Sequence, residues 1–246
     1  MFFHSLLMTE TDINSQRPDF AQIILFPFLF VLLLWLVKYY EWKTGTDFIT
    51  WGLYPKKISG LIGILTAPLI HSDFNHLTSN TLPLLVLGGM VFYFYREVAW
   101  RVFLIVYVLG TAGAWFFARP SYHIGASGLV YGFVSFLLVS GLIRRNISLL
   151  ALSMLVIFLY GGLVWGMIPF PTDLSWEMHL SGAVMGLICA LIFRKLGPQA
   201  TKYEWQDDNN DNENEQEPPG DETPDNGPAV QPTVTYIYKS DHENPL

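Results

Sequence analysis

Two short apolar segments each carry one reactive side chain where a helix is predicted to begin. Ser127 lies in GASGLVYG at 125–132, and His179 lies in WEMHLSGAVMG at 176–186. A hydroxyl becomes an effective nucleophile when a neutral imidazole within hydrogen-bonding distance accepts its proton. Polar groups inside apolar helices are costly and tend to mark a function. The pattern therefore predicts a serine nucleophile and its general base, acting on a peptide bond within a membrane.

Glycine spacing beside both reactive residues predicts that their helices pack closely. Gly128 and Gly132 follow Ser127, and Gly182 and Gly186 follow His179, in each case four residues apart. Two glycines at this spacing lie on one helix face and let another helix backbone approach it. Ser127 and His179 are expected to come within reach of each other through these two faces.

Acyl transfer also needs hydrogen-bond donors for the oxyanion of the tetrahedral intermediate. The backbone N–H of Ser127 has no acceptor within its own helix, because the helix begins there. His76 and Asn80 are four residues apart, so they share one helix face and can both donate. Tyr131, one turn after Ser127, is expected to pack on the imidazole of His179 and orient it.

The elements that must position these residues are membrane-spanning helices. The chain has 246 residues, of which 51% are hydrophobic and only 14% charged, and its mean hydropathy is +0.33. These values are typical of a polytopic membrane protein. Six segments approach the length of about 20 apolar residues needed to cross a bilayer. They lie at 20–38, 76–95, 100–118, 126–143, 147–168 and 178–194.

The distribution of basic residues predicts the orientation of this six-helix bundle. Cytoplasmic loops collect lysine and arginine, and the basic residues near the helix ends fall on one face of the bundle. They are Arg17, Arg96, Arg101, Arg144, Arg145, Arg194 and Lys195. We therefore expect a multi-pass protein of the cell (inner) membrane with both termini cytoplasmic. His76, Asn80, Ser127 and His179 then share one depth, near the outer surface.

Three regions are predicted. Residues 1–19 form a cytoplasmic segment, 20–195 the membrane domain, and 196–246 an acidic, disordered tail that holds 12 of the 21 acidic residues after position 200. The long connection at 39–75 contains the apolar stretch GLIGILTAPLI, so we expect it to be partly embedded in the outer interface. The single cysteine, Cys189, is expected only to pack.

Three segments together resemble the signature sequences of the rhomboid intramembrane serine proteases. They are HSDFNHLTSN at 71–80, GASGLVYG at 125–132 and HLSGAVMG at 179–186. The resemblance covers about 20–195 and implies an all-α six-helix rhomboid-like bundle that cleaves single-span membrane proteins near the outer end of their transmembrane segment. It implies no cofactor.

Carried over to this sequence, the resemblance implies a role for each matching residue. Ser127 would be the nucleophile, His179 its base, and His76 with Asn80 the oxyanion-side residues. Tyr131 would stack on His179, Gly125 would be the small residue before the nucleophile, Gly182 and Gly186 would be contact glycines, and His71 would brace the first loop. One feature departs from the family, because Trp51 is followed by Gly52 and not by the arginine of many members.

Other interpretations of the same residues remain open. Ser127 could pack between helices, His179 could bond a loop carbonyl, and His76 and Asn80 could join helices through hydrogen bonds. His123 and Glu177 are expected to be solvated loop residues. A metal site is disfavoured because the chain has no HExxH pair. A transporter would need polar groups at mid-membrane. A catalytically inactive relative that binds membrane clients is the main alternative.

The partners expected from the sequence are transmembrane segments of substrate proteins and the lipid bilayer. No basic stripe indicates nucleic acid, and no metal is expected. A cytosolic partner for the acidic tail is left open.

Overall fold

The fold is helical throughout the residues that the computed structural model describes, which are 20–144, 146–169 and 175–199. The main helices are α1 Phe20–Thr44, α2 Phe74–Phe94, α3 Arg96–Phe117, α4 Ser127–Arg144, α5 Ile147–Tyr160 and α6 Trp176–Ile192. The only β pairing in these residues is an isolated bridge between Leu53 and His123. The predicted all-α class is confirmed.

The helix lengths agree with the predicted six-helix bundle. Among the described residues, five helices are long and apolar enough to cross a membrane, with α5 counted together with the 3-10 helix Gly161–Met167 that continues it. The sixth, α6, has 17 residues, the lower limit of about 17–25 residues for a membrane span. The predictions for 1–19 and for the tail beyond 199 lie outside the described residues.

Helix α4 is the centre of the bundle and α5 lies at its edge. In the most apolar part of α4, 61% of the residues are buried. In that of α5 and its 3-10 continuation, only 22% of the residues are buried. Phe133, Phe136 and Leu137 of α4 lie in the hydrophobic core. The residues that open α4 are therefore held from several sides, while α5 rests on the bundle along one side.

Helix α3 contains one wide turn where it meets α6. Residues Val106–Gly110 form a π-helical turn within the span, a local widening that is often found at functional sites. A Cβ added at Gly110 would lie 3.4 Å from the Cα of Gly182, and one added at Gly113 would overlap the Ser181 hydroxyl. Small residues on α3 thus let it press against α6.

Helices α4 and α6 make direct backbone contact through their glycines. A Cβ on Gly182 would overlap the carbonyl of Gly128 and lie 3.0 Å from its Cα. Gly186 meets Gly132 in the same way, also with 3.0 Å to the Cα. Because residue numbers increase in the same order along both faces, the two helices are parallel. Their first turns, which carry Ser127 and His179, therefore lie at the same end.

The first loop is a folded cap of short helical turns. It contains the 3-10 helices Ile49–Trp51, Ile58–Ile62 and Ala67–Leu69 and the single α turn Gly63–Thr66. The Leu53–His123 bridge joins this cap to the chain that leads into α4. Ile58, Ile62 and Leu65 are exposed, an apolar surface that the predicted embedding in the membrane interface requires.

Replacing Gly182 by alanine should destabilise the protein, because the new methyl group meets rigid backbone of α4. Overpacking of this kind costs about 1–3 kcal/mol. The matched control is Gly89→Ala in α2, where an added Cβ has nothing within 4 Å. Thermal unfolding in detergent should show a lower midpoint for Gly182→Ala only. Equal midpoints for the two variants would contradict the close contact.

Candidate active site

Ser127 and His179 meet at the shared end of α4 and α6. The Nε2 atom of His179 lies 2.8 Å from the Oγ of Ser127. Ser127 is the first residue of α4, and His179 lies in the first turn of α6. The imidazole is almost completely buried, whereas Ser127 is half-buried. The two side chains predicted to meet are thus hydrogen-bonded, with the hydroxyl still partly accessible.

Two further contacts orient the imidazole of His179. Its Nδ1 atom lies 2.8 Å from the carbonyl oxygen of Gly166. A carbonyl only accepts, so Nδ1 carries the proton in the neutral ring and Nε2 is left to accept from the Ser127 hydroxyl. The ring of Tyr131 stacks on the imidazole, with 4.2 Å between centroids and 8° between planes. Both ring nitrogens and one ring face are therefore engaged.

Gly125 brings the chain before Ser127 against the ring of His76. Its φ is +108°, a conformation that residues with a Cβ rarely adopt. A Cβ at this position would lie 2.8 Å from Cε1 and 2.9 Å from Nε2 of His76. The N–H of Gly125 donates to the carbonyl of Ala67 at 2.9 Å. Glycine is therefore required here both by the backbone and by the imidazole beside it.

The two residues expected on the oxyanion side lie at the start of α2. The Nδ1 atom of His76 lies 3.2 Å from the Ser72 hydroxyl, and its Nε2 edge lies beside Gly125, two residues before Ser127. Asn80 is buried, and its Nδ2 donates to the carbonyl of His76 at 3.1 Å. That bond uses one of the two amide hydrogens of Asn80 and leaves the other for a further acceptor.

The arrangement can be compared with known families. A family model described as the Rhomboid domain matches residues 59–196, more than half of the chain. The chain belongs to the rhomboid family. This region contains Ser127, His179 and the glycine contacts between their helices. Rhomboid proteins are in general intramembrane serine proteases, although some members are inactive. With its apolar helices, this rhomboid protein is a multi-pass membrane protein.

Mycobacterial proteins are among its relatives. The uncharacterized protein Rv1337 of Mycobacterium tuberculosis is 37% identical over 194 residues, which cover 75% of this chain and 80% of the relative. The uncharacterized protein Mb1372 of Mycobacterium bovis gives the same values. The uncharacterized protein ML1171 of Mycobacterium leprae is 34% identical over 173 residues, covering 66% of this chain and 68% of the relative.

His71 connects the end of the first loop to the residue before the candidate nucleophile. Its Nε2 accepts from the N–H of Ala126 at 3.4 Å, and its ring packs edge-on against His76 with 5.1 Å between centroids. Burial, together with the neighbouring His76 and Lys38, lowers the pKa of His71 to about 3. The ring is therefore neutral, which an acceptor nitrogen requires.

A buried ion pair on α1, which the sequence did not reveal, holds the first loop in place. The Nζ of Lys38 lies 2.7 Å from Oε2 of Glu41 and donates to the carbonyls of His71 at 3.0 Å and Ser72 at 2.9 Å. The other carboxylate oxygen of Glu41 accepts from the N–H of Phe48 at 3.0 Å. Both ends of the loop are thus attached to α1. The sequence signal that could have predicted this ion pair is the placement of opposite charges three residues apart near the end of an apolar helix.

A second serine–histidine hydrogen bond joins the same two chain segments as the first. His123 Nδ1 lies 2.6 Å from the Oγ of Ser175, and its Nε2 lies 3.0 Å from the carbonyl of Arg119. Ser175 caps α6, because its Oγ accepts from the N–H of Met178. His123 and Ser175 each lie four residues before the reactive residue of their own segment. The pair therefore fixes the starts of α4 and α6 relative to each other.

The expectation that His123 and Glu177 are solvated was wrong. Their exposed fractions are 2% and 1%. Glu177 Oε1 lies 3.5 Å from Nε of Arg119 and accepts from the N–H of Arg119 at 3.3 Å. Burial lowers the pKa of His123, so this imidazole is neutral as well. The polarity of these residues suggested solvent, but partners more than 50 positions away in the chain bury them.

Substituting Lys38 by methionine should release the first loop. The change leaves Glu41 buried without its cation and removes the donor from two loop carbonyls, a loss of about 3–5 kcal/mol. Trypsin should cut faster after Lys56 and Lys57 in the loop, and the unfolding midpoint should fall. Lys43→Met, on the same helix but exposed, is the control. Restoring stability by Glu41→Met in the Lys38→Met protein would support the ion pair, whereas unchanged cleavage of Lys38→Met would contradict the anchor.

Acidification should destabilise the protein through His71. The unfolded chain protonates His71 near its ordinary pKa of 6.5, whereas the folded protein does so only at about 3. The contribution of neutral His71 to the free energy of unfolding is therefore complete above pH 6.5 and falls by about 1.4 kcal/mol per pH unit below it. In His71→Asn, the free energy of unfolding in detergent should depend less steeply on pH between 6.5 and 5. Identical slopes for the variant and the parent would refute this.

Proposed function

We propose that this chain is a serine endopeptidase that hydrolyses peptide bonds in or near transmembrane segments of membrane proteins, with Ser127 as nucleophile and His179 as base. The observation that carries the proposal is the 2.8 Å hydrogen bond between Ser127 Oγ and His179 Nε2. Membership of the rhomboid family supports the same reaction class.

The geometry suits a nucleophile that is activated by a neutral base. As Oγ of Ser127 attacks the scissile carbonyl carbon, its proton passes to Nε2 of His179. The same proton then goes to the leaving amine as the C–N bond breaks and leaves an acyl-enzyme. Water next attacks the ester carbonyl carbon and gives its proton to Nε2, and that proton passes to Oγ of Ser127 as the ester C–O bond breaks and the acid product is released. Every step uses Nε2, so the reaction requires the tautomer that the Gly166 carbonyl favours.

The oxyanion is proposed to form beside the start of α4. The backbone N–H of Ser127 points out of the first turn of the helix, where the helix dipole favours negative charge. His76, beside Gly125, and Asn80, with its second amide hydrogen, are the proposed side-chain donors. Loss of one donor to an oxyanion typically lowers turnover by about 100- to 1,000-fold.

The location of the substrate bond follows from the proposed orientation in the membrane. Ser127 opens α4 and Arg144 ends it, so the reactive end and a basic end of the helix are opposite. By the positive-inside rule, basic ends are cytoplasmic. We therefore place the protein in the cell (inner) membrane with both termini cytoplasmic and its site near the outer surface. Its substrates would be membrane proteins cut near the outer end of a transmembrane segment.

The purified protein should cleave a transmembrane reporter, and Ser127→Ala and His179→Ala should each abolish the cleavage. Ser135→Ala, a half-buried serine on the same helix, is the matched control and should remain active. Cleavage should persist in EDTA and stop after treatment with a fluorophosphonate that labels serine nucleophiles. Cleavage by Ser127→Ala at the parental rate would exclude the mechanism.

The experiment also tests the alternative of an inactive rhomboid protein that binds membrane clients. Such a protein would retain the reporter without cutting it, equally in the parent and in Ser127→Ala. No fluorophosphonate label would then appear on Ser127.

A further inference from the structure

Gly166 contacts the candidate base, His179, and the Tyr131 ring that stacks on it, from outside the glycine-packed centre of the bundle. It lies in the 3-10 helix Gly161–Met167 that follows α5. Its carbonyl oxygen lies 2.8 Å from Nδ1 of His179. Serine hydrolases of the Ser-His-Asp type place a carboxylate at this position of the imidazole. Here the acceptor is a neutral backbone group on a peripheral element.

The space around Gly166 leaves no room for a side chain. A Cβ at this position would overlap the hydroxyl of Tyr131, lie 3.1 Å from its Cζ and lie 3.3 Å from Nδ1 of His179. Tyr131 is held in turn by its stack on His179. Because Gly166 has no side chain, the Tyr131 ring can lie against it while its carbonyl bonds to His179. Gly162, in the same 3-10 helix, has nothing within 4 Å of an added Cβ.

The first half of the element that carries Gly166 is hydrogen-bonded to α4. At the middle of α5, Ser153 Oγ lies 3.1 Å from the carbonyl of Leu138 and packs directly on Gly141 of α4. Asn146 caps the beginning of the helix. Within the described part of the chain, the Gly166–His179 bond is the one hydrogen bond that joins the segment at 161–167 to another helix. The position of this segment therefore determines whether Nδ1 of His179 has its acceptor.

We propose that Gly166 is a positioning residue for His179. Its carbonyl holds the proton on Nδ1 and keeps Nε2 free to accept from Ser127, and its lack of a side chain keeps Tyr131 stacked on the ring. The inference rests on the proposed function, because it concerns the base of that reaction. It follows that the base is correctly oriented only while the outer end of α5 is seated against α6.

The test compares Gly166→Ala with Gly162→Ala in the full-length protein. Two rates are measured, namely cleavage of the transmembrane reporter and labelling of Ser127 by a small fluorophosphonate, which needs no passage of a peptide between helices. Gly166→Ala should lower both by at least about 10-fold, which is a part of the roughly 100- to 10,000-fold that general base catalysis supplies. Gly162→Ala should change neither. A loss of reporter cleavage with normal labelling would place Gly166 in substrate entry and overturn the proposal.

A double-mutant cycle separates positioning from general damage to the fold. In a Tyr131→Phe background the hydroxyl that the new methyl group meets is absent, so Gly166→Ala should reduce labelling by a smaller factor than in the parent. An equal factor in both backgrounds would mean that the contact with Tyr131 is irrelevant, and it would overturn the proposal.

Nitrogen-15 spectra of histidine-labelled protein report which ring nitrogen carries the proton, with His179→Ala identifying the signal. We expect the proton on Nδ1 in the parent and a mixture of tautomers in Gly166→Ala. A proton on Nε2 in the parent would overturn the inference. If the parent is inert to the fluorophosphonate, the proposed function fails, and these spectra still decide the role of Gly166.

Discussion

The contact of backbone against backbone between α4 and α6 is the constraint on which the rest of the structure depends. Serine and histidine side chains are short, so they meet only if the helices that carry them nearly touch. Gly128 and Gly132 on one helix and Gly182 and Gly186 on the other have no side chains to hold the two backbones apart. Helix α3 then fits on the outside through its π turn, where Gly110 lies against Gly182. The reactive pair is thus a consequence of helix packing.

Around that contact, hydrogen bonds orient what the helices bring together. The His123–Ser175 bond joins the segments leading into α4 and α6, and the His179 ring is then fixed by a stacked tyrosine and a backbone carbonyl. No carboxylate among the described residues bonds the candidate base. A neutral acceptor stabilises an imidazolium less than a carboxylate would. Orientation is therefore the main contribution that these neighbours can make.

The sequence predicted the parts of the structure that arise from local spacing. The glycines four residues apart predicted the contacting faces of α4 and α6. The lengths of the apolar segments predicted the six helices, including α6 at the lower limit of a membrane span. The meeting of Ser127 and His179 followed from both being at the starts of parallel helices. The roles of these residues, and of His76 and Asn80, remain predictions.

Contacts between distant residues of irregular segments could not be predicted. Gly166 is one of three glycines in a short 3-10 helix, and nothing in the sequence distinguishes it from Gly162. His123 and Glu177 looked like solvent-exposed loop residues, and only their distant partners bury them. The glycine after Trp51 left the anchoring of the first loop open, and the structure assigns that attachment to a lysine on another element.

That lysine changes how the boundary of the functional unit should be drawn. The region that matches the family begins at residue 59, whereas Lys38 and Glu41 lie upstream on α1. A fragment starting at the family boundary would keep Ser127 and His179 but lose the cation that clamps the carbonyls of His71 and Ser72. Helix α1 is therefore more than a membrane anchor. It holds in place a histidine that borders the candidate nucleophile, and the smallest autonomous unit must include it.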